Sequence, residues 1–202
     1  LPKPDPILEQ KSSFNELIKK RKSRRKYSKK PFSLEELSYL LWCTQGVKNV
    51  LRGMVTYRTV PSAGARHAFD TYLLVNRVSN LKPGIYRYIA LEHKLVEFNM
   101  DKNVSSAVVE GCMGQSFTAE SAATFIWAVD IYRMTWRYGQ RGYRYVHLDA
   151  GHVCQNLYLA SEAVDAGTCA IAAFDDDKMN DLLELDGKSR FVIYIAATGK
   201  VK

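Results

Sequence analysis

The stretch PSAGARHAFDTYLLV, residues 61–75, joins a loop of small residues to an apolar run. Pro61, Ser62, Ala63 and the glycine that follows would let a backbone approach a flat ligand closely. Arg66 and His67 would then offer polar groups at the rim of the loop, although a simple turn into a strand explains the same residues. The apolar run predicts a buried strand over residues 71–76.

Outward from this stretch, apolar spacing predicts a mixture of helices and strands without strict alternation. Ser13 with Glu16, and Ser33 with Glu36, have the spacing of a helix N-cap, and Gly46 is a natural end for the second helix. The mixture predicts an α+β domain. Helices are expected at 13–21, 33–46, 104–112, 143–165 and 178–185, strands at 85–90, 94–98, 124–131, 168–174 and 190–198, and an irregular connection over 47–70.

Length and composition predict a short N-terminal arm, residues 1–12, followed by one domain over 13–202. The chain has 202 residues, of which 47% are hydrophobic and 25% charged, which is typical of a globular protein. No apolar run reaches 18 residues, so we expect no membrane span. The first ten residues do not read as a signal peptide.

The four cysteines are scattered and form no CxxC pair or zinc spacing. A disulfide framework is therefore not expected, nor is a metal site, and the pattern favours a reducing, cytoplasmic setting. The sequence also lacks the HExxH, GxSxG, P-loop and GxGxxG motifs.

The net charge of +8 is concentrated in two places. One is RKSRRKY, residues 21–27, where Arg21, Ser23 and Arg25 would share one side of an extended backbone. Guanidinium forks and a hydroxyl suit phosphate oxygens, so this is a candidate phosphate clamp. A solvated basic surface and a nucleic-acid patch remain alternatives. In the second place, four arginines interleave with aromatic residues over 132–145, which suits an active-site lid, a dimer contact or a nucleic-acid surface.

A third candidate is GTCAIAAFDDDK, residues 167–178. Small residues on a buried strand, followed by a polar turn, could direct main-chain N–H groups toward the edge of a ligand. A packed strand without a ligand explains the segment equally well.

Taken together, these blocks resemble the FMN-dependent nitroreductase family, and within it the branch of SagB-type (azoline) dehydrogenases of peptide-modifying systems. The resemblance covers nearly the whole chain, in matching order and spacing. It rests on RKSRRKY at 21–27, EELSYLLWCTQG at 35–46, PSAGARHAFDTYLLV at 61–75, LKPGIYRY at 81–88, LDAGHVCQNLYLASEA at 148–163 and LLELDG at 182–187.

The resemblance implies a central, mostly antiparallel sheet flanked by helices, with FMN held at the interface of an intertwined homodimer. It assigns the flavin phosphate and ring to Arg21, Lys22, Ser23 and Arg25, with Arg25 also near flavin N1 and O2. The block from the partner chain contributes Pro61, Ser62, Ala63, Arg66 and His67. Backbone amides at Ala172 and Ala173 are assigned to flavin N5 and O4, and Lys200 to the phosphate.

For activity, the resemblance implies reduction of nitroaromatic or quinone-like acceptors by NADH or NADPH, with ping-pong hydride transfer through flavin N5. No side chain is assigned a catalytic role. Two departures matter: Ala65 stands where many members have Asn, and Ala172–Ala173 where many have Glu-Gly. The alternatives are therefore an azoline-type dehydrogenase that oxidises a peptide ring, and a non-catalytic flavin or nucleic-acid binding protein. A nucleic-acid partner is the least favoured.

Overall fold

The computed structural model describes residues 1–4 and 13–201, so most of the expected N-terminal arm lies outside the described part. The elements largely follow the sequence pattern. The helices are α1 Phe14–Lys20, α2 Leu34–Gln45, α3 Val104–Gly111, α4 Phe117–Glu120, α5 Tyr132–Tyr138, α6 Gly142–Ala163 and α7 Asp176–Leu182. The strands are β1 Val47–Leu51, β2 Val55–Arg58, β3 Phe69–Val75, β4 Gly84–Ile89, β5 Lys94–Asn99, β6 Ala123–Asp130, β7 Ala166–Ile171 and β8 Arg190–Lys200.

Six strands form one sheet in the order β5-β4-β3-β6-β8-β7. All neighbouring pairs in it are antiparallel. This confirms the expected α+β class with a mostly antiparallel sheet.

Both faces of the sheet are covered, because alternate residues of a strand point to opposite faces. Along β6, Phe125 and Trp127 belong to the core that α2 and α6 cover. Ile126 and Ala128, one step away, belong to the core under α3 and α7. A strand buried on both faces reads as a continuous apolar run, which explains the sequence ATFIWAVD.

The beginning of α2 is fixed by the capping box that the sequence indicates. The Ser33 hydroxyl accepts from the Glu36 amide, and the Glu36 carboxylate accepts from the Ser33 amide at 2.9 Å. Such a cap stabilises a helix by about 1 kcal/mol. Ser13 precedes α1 as expected, but its side chain makes no capping hydrogen bond, so that part of the prediction is wrong.

The connection over residues 47–70 is more regular than expected. β1 and β2 form a separate two-stranded antiparallel hairpin, and a single 3-10 turn follows at Ala63–Ala65. β1 does not alternate between buried apolar and exposed polar residues, because four of its five residues are exposed. The periodicity on which the strand prediction depends is therefore missing from this segment.

Candidate functional site

The basic motif lies along the open edge of the sheet. Ser23 makes a parallel bridge with Thr168 of the edge strand β7, and the Arg24 amide donates to the Thr168 carbonyl at 2.9 Å. The backbone here is extended, so side chains alternate between two sides. Arg24 points inward, to Glu162 on α6 at 3.4 Å. A side chain at Gly167 would collide with Arg24, so the glycine allows this close approach.

On the other side of the motif, side chains converge on Tyr158 of α6. The hydroxyls of Ser23 and Tyr158 are 2.9 Å apart, and the Ala170 amide donates to the Tyr158 oxygen at 2.9 Å. The guanidinium of Arg21 lies 5.4 Å from the centre of the Tyr158 ring. Whichever hydroxyl donates within the pair, one hydroxyl proton remains for an acceptor outside it. Sequence reasoning missed Tyr158, although it lies in the quoted block at 148–163.

Lys22 and Arg25 are exposed, and neither pairs with an acidic group among the residues described. Burial raises the pKa of the Cys169 thiol, and the opposing charge of Arg25 lowers it, which places that guanidinium near β7. The motif thus presents cationic groups and a hydroxyl on one side of an exposed edge. This is a donor set that suits phosphate oxygens.

Ala172 and Ala173 follow directly after β7, which ends at Ile171. They are exposed and outside the strand, so the expected strand to residue 174 is three residues too long. The carbonyl of Ala173 is held by the Gln115 side-chain amide at 2.9 Å. Only Ile171 separates Ala172 from Ala170, which contacts Tyr158, so the alanine pair continues the same edge as the basic motif.

The loop over residues 61–67, called the second block from here on, is organised by a carboxylate on α6. Asp149 accepts from the Ser62 hydroxyl at 2.6 Å and from the Ala63 amide at 3.2 Å. The Ser62 oxygen in turn accepts from the His67 amide at 2.9 Å. Burial raises the pKa of Asp149, and the bonds from Ser62 and Ala63 oppose that rise. Pro61 is exposed at the start of this loop.

The polar residues of the second block are more buried or already hydrogen-bonded within the chain, whereas the sequence predicted that they would be available at the rim of the loop. His67 is only 7% exposed, and burial, assisted by the charge of Arg58, lowers the pKa of His67 to about 4. Arg66 donates from Nε to the Arg133 carbonyl at 2.8 Å, and its guanidinium lies 4.8 Å from the centre of the Trp136 ring. Arg66 therefore connects the loop to α5.

Lys200 lies beside the end of the basic motif, where its carbonyl accepts from the Ser28 amide at 2.8 Å, but its side chain points into the fold. It is 6% exposed, and its ammonium donates to the Glu36 carboxylate and to the Val164 carbonyl. A phosphate role would require this buried pair to break. The structure thus gives Lys200 a partner inside the fold.

The two blocks do not meet within one chain. Their anchors, Asp149 and Tyr158, are nine residues apart on α6, which corresponds to a rise of about 14 Å and to opposite sides of the helix. A ligand that touches both blocks would need the second block of another copy.

Segment 132–145, expected to be a lid or a dimer contact, forms α5, a 3-10 turn and the start of α6. Tyr132 and Trp136 are more than 60% exposed. No helix in the described part of the chain is long and apolar enough to cross a membrane.

Comparisons with known proteins agree on one family. The profile of the nitroreductase family matches residues 18–200. A Methanocaldococcus jannaschii protein with a provisional nitroreductase name is 36% identical over 172 residues, or 85% of this chain and 84% of its own length. A crystal structure from Anabaena variabilis, also provisionally named a nitroreductase, superposes with a TM-score of 0.78 at 28% identity. That match covers 92% of this chain but only 37% of the Anabaena chain.

The resemblance to the peptide-modifying branch also has support. The trifolitoxin-processing protein of Rhizobium leguminosarum bv. trifolii is 25% identical over 167 residues. This match covers 78% of the present chain and 45% of the rhizobial protein. The profile match and the 36% identical relative each cover most of the sequence, and the sheet and its helices match a solved nitroreductase fold. The chain therefore belongs to the nitroreductase family and is an oxidoreductase of that superfamily.

Proposed function

We propose that this protein is an FMN-dependent oxidoreductase that works as a homodimer. The observation that carries the proposal is the convergence of Arg21 and Ser23 on Tyr158, beside the exposed Ala172–Ala173 edge. This arrangement offers cations and a free hydroxyl proton for a phosphate, and open backbone for the edge of a planar ring. Bound FMN would supply hydride transfer, which no side chain of the chain provides.

In this proposal the side chains bind and orient the flavin. Ser23 and Arg21 hold the phosphate, and Lys22 and Arg25 add positive charge on the exposed side. A cation near the ring favours the anionic reduced form, for which Arg25 is the candidate. Lys200 is left out, because its ammonium is already paired with Glu36.

The second half of the site would come from a partner copy. Asp149 holds Ser62 and Ala63 in a fixed conformation, so the loop is organised before any ligand binds. Because the two blocks are on opposite sides of α6, a homodimer is the simplest way to bring both against one flavin. NADH or NADPH would be the donor, and a nitroaromatic or quinone-like compound the acceptor. The four free thiols suit a reducing, cytoplasmic setting.

A second candidate function is oxidation of a peptide ring by an azoline-type dehydrogenase. The similarity to a trifolitoxin-processing protein favours it. So does the pair Ala172–Ala173, which stands where many nitroreductases have Glu-Gly. The two candidates share the flavin site and differ in what reduces the flavin.

The flavin site is tested by titrating FMN into three forms of the protein and following flavin fluorescence. The double variant Arg21→Ala/Arg25→Ala should bind FMN at least tenfold more weakly, since each charge-assisted bond contributes about 1.5–3 kcal/mol. Arg24→Ala is the matched control from the same segment. Its side chain points inward to Glu162, so FMN affinity should be retained. Equal affinity in the double variant and the wild type would remove the basic motif from the site.

A further inference from the structure

A cluster of arginines surrounds one carboxylate at the far end of the sheet from the basic motif. Asp70 of β3 accepts from Arg87 at 3.1 Å, Arg133 at 3.2 Å and Arg190 at 3.3 Å. Burial lowers the pKa of Arg58, and the nearby positive charge of Arg133 lowers that pKa further. Asp70 is only 13% exposed at its side chain, and both of its oxygens are in use.

The cluster borders an open cavity of about 290 Å³. The charged side chains that line it are Arg58, Arg87, Arg133 and Asp70. Three guanidiniums against one carboxylate leave two positive charges. Just outside the lining, Asp130 pairs with Arg133 at 3.2 Å and Arg190 pairs with Asp70, so they add one charge of each sign. The cavity therefore has an excess of two positive charges.

Two guanidinium groups of this cluster also lack hydrogen-bond acceptors. The Nε atoms of Arg58 and Arg87 are buried and have no acceptor among the residues described. Within the described part of the chain, the only hydrogen bond found for the Arg58 side chain is from Nη1 to Gln45, at 2.7 Å. A buried donor without a partner destabilises the folded protein. An oxyanion in the cavity would relieve the repulsion between the positive charges of Arg58 and Arg133.

This cavity is separate from the proposed flavin phosphate site of the same chain. Ser23 pairs with Thr168 of β7. Across the sheet, Thr168 is opposite Thr198 of β8, Thr198 is opposite Ala123 of β6, and Ala123 is opposite Val75 of β3. Asp70 is five residues before Val75 on β3. The two places are therefore about 17 Å apart along the strands and three strand spacings, or about 14 Å, apart across the sheet.

We propose that the cavity lined by Arg58, Arg87 and Arg133 binds a phosphate group, either as inorganic phosphate or as part of a phosphorylated ligand. A phosphate monoester carries about −1.5 to −2 charges near neutral pH, which matches the excess of two positive charges. A carboxylate carries one charge and would neutralise half of it. Planar guanidiniums also match the oxygens of phosphate in bidentate geometry. The site depends on this chain alone and does not rest on the proposed flavin function.

Isothermal titration with inorganic phosphate tests this proposal, at ionic strength held constant with sodium chloride. The wild type should bind phosphate, and Arg87→Gln should bind it about tenfold more weakly or worse, because one charge-assisted contact is lost. Asp70 keeps Arg133 and Arg190 in that variant, so the fold should persist. If the circular dichroism spectrum of Arg87→Gln shows that this variant does not fold, Arg133→Gln gives a second test of the same cavity. Arg52→Gln, an exposed site on the β1–β2 turn, is the matched control and should bind as the wild type does.

Three comparisons decide the outcome. The double variant Arg21→Ala/Arg25→Ala should retain phosphate binding in the cavity, whether or not the flavin proposal holds. A glycerol phosphate titration should match inorganic phosphate if the cavity accepts monoesters, and acetate should bind at least tenfold more weakly. The proposal is overturned if phosphate binding is absent, is lost in the double variant, is unchanged in both cavity variants, or is equalled by acetate.

Discussion

At the scale of single residues, Tyr158 shows how one hydroxyl joins distant parts of the chain. Ser23 is 135 residues away in the sequence, and Ala170 is on another strand. The pattern LYLASEA indicates that Tyr158 lies on a helix, but it gives no indication of this contact. Alternation along RKSRRKY was enough to predict that Arg21 and Ser23 share one side, and the structure separates them from Arg24 in this way. Their role as a phosphate clamp stays a prediction. The hydroxyl behind the clamp depends on tertiary packing.

His67 supports a prediction about pH. Its pKa is about 4 in the folded protein and about 6.5 in the unfolded chain, so between these values the unfolded state binds more protons. The contribution of neutral His67 is complete above pH 6.5 and is lost as the pH falls toward 4. We expect a loss of roughly 1–3 kcal/mol in the free energy of unfolding over this window.

Urea unfolding at a series of pH values from 4 to 7.5 measures this effect. In His67→Gln, which cannot take up a proton, the decline between pH 6.5 and 4 should be shallower than in the wild type. Other groups titrate in both proteins, so the difference between the two curves is the relevant quantity. Parallel curves would contradict the assignment.

At the scale of elements, the predictions succeeded where periodicity was strong. The box Ser33–Glu36 and the apolar stripe of α6 gave the right helices, and the hairpin β4–β5 was recognised from its polar turn. The hairpin β1–β2 was missed because it packs too little to show alternation. β7 ended earlier than expected, since alanine residues 172 and 173 are small and apolar whether they are buried or exposed.

The tight turn before β3 is the element on which the second block depends. Gly64 has φ of +58°, and a side chain there would collide with the hydroxyl of Tyr138. We expect Gly64→Ala to destabilise the protein by about 1–3 kcal/mol, from backbone strain together with displacement of Tyr138.

Gly53 provides the matched control for this turn. It has φ of +69°, but a side chain there would meet no atom within 4 Å. Gly53→Ala therefore carries the backbone strain without the collision. Urea unfolding of both variants should show the larger loss at Gly64, and equal losses would mean that contact with Tyr138 contributes nothing.

At the scale of the whole molecule, large apolar side chains lie exposed on α1 and α6. Phe14 is 65% exposed on α1 and Leu148 is 56% exposed on α6. Burying such side chains stabilises an interface by about 1.5–3 kcal/mol each. The exposure of these side chains supports the proposed homodimer.

Sedimentation equilibrium measures the assembly. We expect a mass of twice the 23.0 kDa chain in the presence of FMN. Leu148→Asp places a charge on the exposed side of α6 and should shift the mass toward one chain, with weaker flavin binding. A flavin-bound particle of one chain mass would contradict the shared site.

The central claim is that this chain is a reducible flavoenzyme, and its absorbance spectrum without oxygen tests that claim most directly. The protein is saturated with FMN, and NADH or NADPH is then added. We predict a bound flavin band that bleaches with one of the two donors. A bound band that bleaches only with a peptide substrate would favour the dehydrogenase function. Failure of the protein to bind FMN at all would contradict the account.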